Sequence, residues 1–131
     1  MTQYLNPASV GDYSGAGLSS GTATESLAFA TGLAMDPTTL RRRADAETLE
    51  DEVRIAFENI DSILGEAGLS RKDIVKTTVY LRNDSDRGAL IPAYKAEFGE
   101  GPYPARCTFV VGLAADLRVQ IDVIAVRPEH A

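Results

Sequence analysis

Leu117-Arg118-Val119-Gln120-Ile121-Asp122-Val123-Ile124-Ala125-Val126 alternates with period two. Val119, Ile121, Val123 and Ala125 fall on one face of a strand, and Arg118, Gln120 and Asp122 fall on the other. That second face continues into Ile124 and Val126, so it is too apolar for plain solvent and too polar for a dry core. Symmetric association around a shared axis would bury such a face. Upstream, Arg106 opens the apolar run Cys107-Thr108-Phe109-Val110-Val111. A guanidinium entering a strand is a candidate anion clamp, because its planar fork donates two parallel hydrogen bonds to a carboxylate.

Upstream of these two strands, Gly99 to Pro104 reads as a loop, and Leu90, Ala93, Tyr94 and Phe98 form a helical stripe within Asp86 to Phe98. Pro92 lacks a backbone donor and crowds the preceding turn, so this helix is expected to start late or to kink there. Asp73 to Arg82 is β-branched and aromatic and reads as a strand, with Val75, Thr77, Val79 and Leu81 on one side. From Ala46 to Ala67, Leu49, Val53, Ala56, Phe57, Ile60, Ile63, Leu64 and Ala67 recur at helical spacing opposite Glu50, Arg54, Glu58 and Asp61. Asp45 or Thr48 can cap the start of this helix, and Gly68 stands where a left-handed C-terminal residue is expected. The Gly-, Ser- and Thr-rich N-terminal segment suggests short strands at Gln3 to Asn6 and Gly17 to Ser20. Leu27 to Thr31 reads as a strand ending at Gly32. These elements make one α+β domain over 1–131, a mixed sheet with two helices packed on one face.

Composition narrows the function. The chain has 131 residues, 44% of them apolar and 24% charged, as in an ordinary soluble domain. A net charge of −6 argues against a protein that lives on phosphate backbones, since nucleic-acid binders gather basic residues on one face. The single basic run, Arg41-Arg42-Arg43, is flanked by turn-rich and acidic segments and reads as a solvated loop. No apolar run is long enough to span a bilayer and no signal-peptide pattern opens the chain, so no membrane association and a cytoplasmic location are expected. The lone Cys107 has no internal disulfide partner, and His130, the one histidine, sits beside the C-terminus. Neither a metal site nor histidine catalysis is expected.

Several segments together resemble the RidA/YjgF family, also known as the endoribonuclease L-PSP family. Gly11-Asp12-Tyr13-Ser14-Gly15-Ala16 is similar to its N-terminal Pro-Tyr-Ser loop. Phe29-Ala30-Thr31-Gly32-Leu33-Ala34-Met35-Asp36-Pro37 is similar to its Ser-Gly-Gln segment with a following Asp-Pro. Asn59 to Val79, Pro104-Ala105-Arg106 and Gln120-Ile121-Asp122-Val123-Ile124-Ala125 complete the likeness. The resemblance implies a chorismate-mutase-like (YjgF-like) fold, a homotrimer with a pocket at each subunit interface, and hydrolysis of enamines or imines of amino acids to 2-oxo acids and ammonia without metal or organic cofactor.

Carried over by position, the resemblance implies that Arg106 holds the substrate carboxylate, with Cys107 beside it. Tyr13 would close the pocket and orient ligand or water, and Thr31 with the Gly32 amide would supply polar contacts. Gln120 occupies the place where hydrolytic members commonly carry Glu, and an amide cannot take a proton from water. Leu33 replaces a common Gln, and Ile91 replaces a typical Asn. Asp122 stands about 6.6 Å farther along the strand, too far to act as the base for a small substrate. Cys107 taken alone reads as a small core residue.

The leading expectation is therefore an interface-pocket hydrolase for a small carboxylate-bearing enamine or imine, with Gln120 positioning water. Its alternatives are a non-catalytic carboxylate-binding or regulatory trimer, and an enzyme for another substrate such as an aminomuconate-type compound. The nuclease implied by the older family name fits the acidic charge least.

Overall fold

The computed structural model describes residues 1–128, so His130 lies outside the described residues. The long apolar stripe forms helix α1, Leu49–Glu66. Thr48 starts it with a capping box: its side chain accepts from the Asp51 amide, and the Asp51 carboxylate accepts from the Thr48 amide, each at 3.1 Å. Gly68 follows the helix at φ 72°, the left-handed conformation expected of it.

The strands are β1 (Gln3–Leu5), β2 (Gly21–Ala23), β3 (Leu27–Gly32), β4 (Ile74–Leu81), β5 (Ala105–Val110) and β6 (Val119–Val126). They form one six-stranded mixed sheet in the order β1-β2-β3-β6-β4-β5, in which only the β4–β5 pair is parallel. The alternation in β6 is as expected. Val119, Ile121, Val123 and Ala125 are buried in one cluster with Val53, Phe57, Ile60 and Leu64 of α1.

Helix α2 spans Arg87–Phe98 without a break, although Pro92 lies inside it. The proline falls early enough that the carbonyl it leaves unbonded belongs to Gly88, and both residues are exposed, so water can satisfy the freed group. Leu90 and Tyr94 of α2 join the same core, and the Tyr94 ring meets Phe57 edge-on at 5.8 Å. Both helices thus cover one face of the sheet.

Three local expectations are corrected. Gly17 to Ser20 is not a strand: residues 14–16 form a short 3₁₀ turn ended by Gly17 at φ 80°, and pairing resumes only at Gly21. Val75 does not share a face with Thr77. A bulge between Ile74 and Lys76 shifts the register, leaving Val75 exposed while Ile74, Thr77, Val79 and Leu81 are buried.

Arg118 does not belong to the open face with Gln120 and Asp122. It precedes β6 and turns to the helix layer, where its guanidinium pairs with Glu52 and donates to the carbonyls of Ala46 (2.9 Å) and Glu47 (3.1 Å). Glu52 is fully buried, and its other oxygen accepts from the Arg118 amide at 3.0 Å. A buried carboxylate needs such a partner, and that demand overrides simple alternation.

The open face bears Gln120, Asp122 and Ile124 of β6, Phe29 and Thr31 of β3, and Lys76, Thr78 and Tyr80 of β4, in matching register. Phe29 remains exposed on it, and Tyr80 stacks with Phe109 of β5 at 6.1 Å.

Candidate active site

A cavity of about 320 Å³ opens where β3 and β6 leave the sheet, between the loop around Tyr13 and the loop before Leu117. The structure brings Tyr13, Thr31 and Gln120 to its wall, three of the residues expected at the site. Thr31 lies opposite Asp122 in the β3–β6 ladder, and its amide donates to the Ser20 carbonyl at 3.1 Å.

Gln120 donates its amide nitrogen to Asp122 Oδ1 at 3.4 Å. A carboxylate only accepts, so it orients the Gln120 amide and leaves Oε1 as that side chain's free acceptor. The two side chains thus lean together across the spacing that separates their backbone positions.

Tyr13 is buried, and its hydroxyl donates to the Met35 carbonyl at 3.1 Å. Burial, with Asp36 nearby, pushes its pKa above the ordinary tyrosine value, so it stays protonated at neutral pH and keeps that bond. Tyr13 is a fixed wall of the cavity. Asn59 acts alongside it, donating to the Leu33 carbonyl at 2.9 Å.

Gly32 serves packing. A Cβ there would collide with the Ala56 carbonyl oxygen and come within 2.8 Å of Ile60, so glycine lets β3 approach α1 closely. It is buried opposite Ile121 and does not line the cavity.

Arg106 and Cys107 stand apart from the cavity within one chain. Arg106 is exposed on the outer strand β5, opposite Thr77, with its guanidinium carbon 4.6 Å from the Tyr94 ring centroid. It makes no ion pair among the described residues. Cys107 is exposed on the opposite face, where Lys76 Nζ donates to its sulfur at 3.1 Å, so it is not a core residue.

Sequence reasoning missed Ser20 and the loop from Ala114 to Leu117, which also line the cavity. The Ser20 hydroxyl is buried without a hydrogen-bond partner among the described residues. Asp116 holds the loop by ion pairs to Arg82 (2.9 Å) and Arg42 (3.5 Å), which keep its carboxyl below the usual range. The Arg41-Arg42-Arg43 run is thereby tied into a loop contact, with Arg43 paired to Asp45 at 2.6 Å. No group of three or more His, Cys, Asp or Glu side chains among the described residues is placed to hold a metal ion, and no helix among them is long and apolar enough to cross a membrane.

Fold and cavity together define a mixed-sheet α+β protein with a cavity beside one open sheet face. The family model described as Endoribonuclease L-PSP matches residues 5–127, and the chain belongs to this family, the RidA/YjgF family. It is 36% identical to a 2-iminobutanoate/2-iminopropanoate deaminase of Salmonella typhimurium, over 92% of this chain and 91% of that protein. It is 35% identical to a RutC family protein of Synechocystis, over 93% of this chain and 91% of that one. Among solved structures, Escherichia coli TdcF with bound serine superposes with a TM-score of 0.76 at 29% identity, covering 96% of this chain and 99% of that one.

Proposed function

We propose that the chain is a hydrolytic enamine/imine deaminase, converting a small 2-imino acid to the 2-oxo acid and ammonia at a pocket shared between subunits of a homotrimer. The observation that carries this reading is the likeness to a named iminobutanoate/iminopropanoate deaminase across nine-tenths of both chains. The bound serine of TdcF, an amino acid with a carboxylate, supports a ligand of the same kind.

The chain's own layout supports the shared pocket. Among the described residues, the cavity wall carries Thr31 and Gln120 but no cation, whereas Arg106 stands exposed and without an acidic partner on an outer strand. A carboxylate desolvated in the cavity calls for such a cation, and a neighbouring chain can supply it across the rim. The exposed apolar side chains Phe29, Phe109, Val110 and Val111, with an unpaired β5 edge, give a second copy a surface to cover.

In this reading the neighbour's Arg106 holds the carboxylate, with Cys107 beside it. The Gln120 oxygen accepts from a water and aims it at the C=N carbon. An enamine first tautomerises to the iminium, which is electrophilic enough for positioned water to attack without a strong base. Water oxygen bonds to carbon, its protons pass to nitrogen and solvent, and the C–N bond breaks to release ammonia. The residues named require no metal or organic cofactor.

A second reading, a carboxylate-binding trimer without turnover, draws on Gln120 standing where a carboxylate base would serve. An aminomuconate-type substrate is a third. Ammonia release from imines generated in place by an amino-acid oxidase tests the proposal: release faster than spontaneous hydrolysis is expected, and binding of 2-oxo acids with no acceleration would favour the second reading.

A further inference from the structure

Among the described residues, no charged side chain enters the wall of the cavity shared by Tyr13, Thr31 and Gln120, and Leu18, Leu33, Met35 and Leu117 make up much of it. Ser19, Ser20, Thr31, Asn59 and Gln120 can serve a water and the reacting nitrogen, and the greater part of the wall is left to apolar contact. We propose that the site selects 2-imino acids with an apolar side chain of about four heavy atoms, as in the imines of leucine or methionine, over the short imines of alanine or serine. This inference rests on the deaminase reading for its chemistry, but not for its account of what the cavity binds.

Volume points the same way. At about 30 Å³ per water, a 320 Å³ cavity holds about ten water-sized atoms. 2-Iminopropanoate has six non-hydrogen atoms, and three of them are the carboxylate that faces the Arg106 of a neighbouring chain in the proposed pocket. A short substrate would leave most of the cavity to water held against leucine and methionine side chains. A leucine-sized side chain would displace that water and convert the same wall into contact.

The wall is preformed, so it cannot simply collapse onto a small ligand. The Leu33 carbonyl is held by Asn59 at 2.9 Å and the Met35 carbonyl by the Tyr13 hydroxyl at 3.1 Å. The Leu117 side is held by Asp116, which bridges Arg42 and Arg82. Within that frame the Met35 side chain can adapt to branched or straight ligands, since the thioether is flexible and polarisable.

The test compares kcat/KM for imines generated from leucine and from alanine, alongside calorimetric binding of 4-methyl-2-oxopentanoate and pyruvate to the same wild-type protein. The leucine-derived imine should be favoured by at least about tenfold, the scale of discrimination that apolar pockets reach for added methylene groups. Binding of the branched oxo acid should be tighter by a similar factor. Leu33→Gln, checked for an unchanged circular dichroism spectrum, should narrow both ratios. Equal affinity for the two oxo acids, or tighter binding of pyruvate, overturns the inference whether or not either imine is turned over. Tighter binding of the branched acid with no acceleration of either imine would uphold it and would instead remove the deaminase reading.

Discussion

Arg106 and Gln120 point to opposite faces of the sheet, separated by β4: Arg106 pairs with Thr77, whose side chain is buried under α2, and Gln120 pairs with Tyr80 on the open face. Two strand spacings across the sheet, about 9.6 Å, and three residues along it, about 10 Å, separate their backbones. A single chain therefore does not bring the carboxylate clamp and the water-positioning amide onto one small substrate.

Arg106→Ala should weaken binding of small carboxylates by about 2–5 kcal/mol, the range for a desolvated charge-assisted pair. Its effect on folding should be small, because the guanidinium is exposed and its described contact is the Tyr94 ring. Arg106→Lys should recover only part of the affinity, since an ammonium lacks the bidentate fork. Calorimetry with a 2-oxo acid measures the loss, and thermal melts check the fold.

Gln120→Glu should raise hydrolysis of 2-iminopropanoate, because a positioned carboxylate can accept the water proton and general-base help is worth about 10² to 10⁴ in rate. Asp122, 3.4 Å from the native amide, should push the new carboxyl above the ordinary glutamate value by like-charge repulsion. The pH profile of the variant should accordingly rise through an apparent pKa above about 4.3. A flat profile at the wild-type rate would place Gln120 outside the chemistry.

Arg118→Met should cost about 3–5 kcal/mol of stability, because it strands the fully buried Glu52 carboxylate without its cation. Glu52→Gln should cost less, as the amide oxygen can still accept from the Arg118 backbone. Urea denaturation at neutral pH compares the two. Equal midpoints for both variants and the wild type would show that the pair contributes nothing to the fold.

The buried pair also marks where sequence reasoning stopped. Helix α1 was legible because its apolar stripe, the Thr48 cap and Gly68 all agree on one element. β6 was legible from Val119 onward by strict alternation. Arg118 was not, since alternation is local and Glu52, which captures it, lies 66 residues away. Pro92 does not delay the helix start for a related reason: it sits where the freed Gly88 carbonyl reaches solvent, a fact of exposure that composition does not carry.

The site was legible in part. Tyr13, Thr31 and Gln120 line one cavity, Gly32 packs β3 against α1, and Cys107 is exposed on an outer strand. Ser20 was invisible because a serine in a Gly- and Ser-rich loop carries no pattern; only its burial without a partner singles it out.

Complementation tests whether the hydrolytic pocket is assembled from two chains. Arg106→Ala lacks the clamp, and Leu33→Trp fills the cavity; each variant alone should be inactive in imine hydrolysis. Mixed, dissociated and reassembled in equal amounts, they should form trimers in which about one quarter of the interfaces pair an intact Arg106 with an intact cavity. Ammonia release should then return to about one quarter of the wild-type rate. Mixed trimers confirmed by mass spectrometry that show no activity above either parent would contradict the shared pocket.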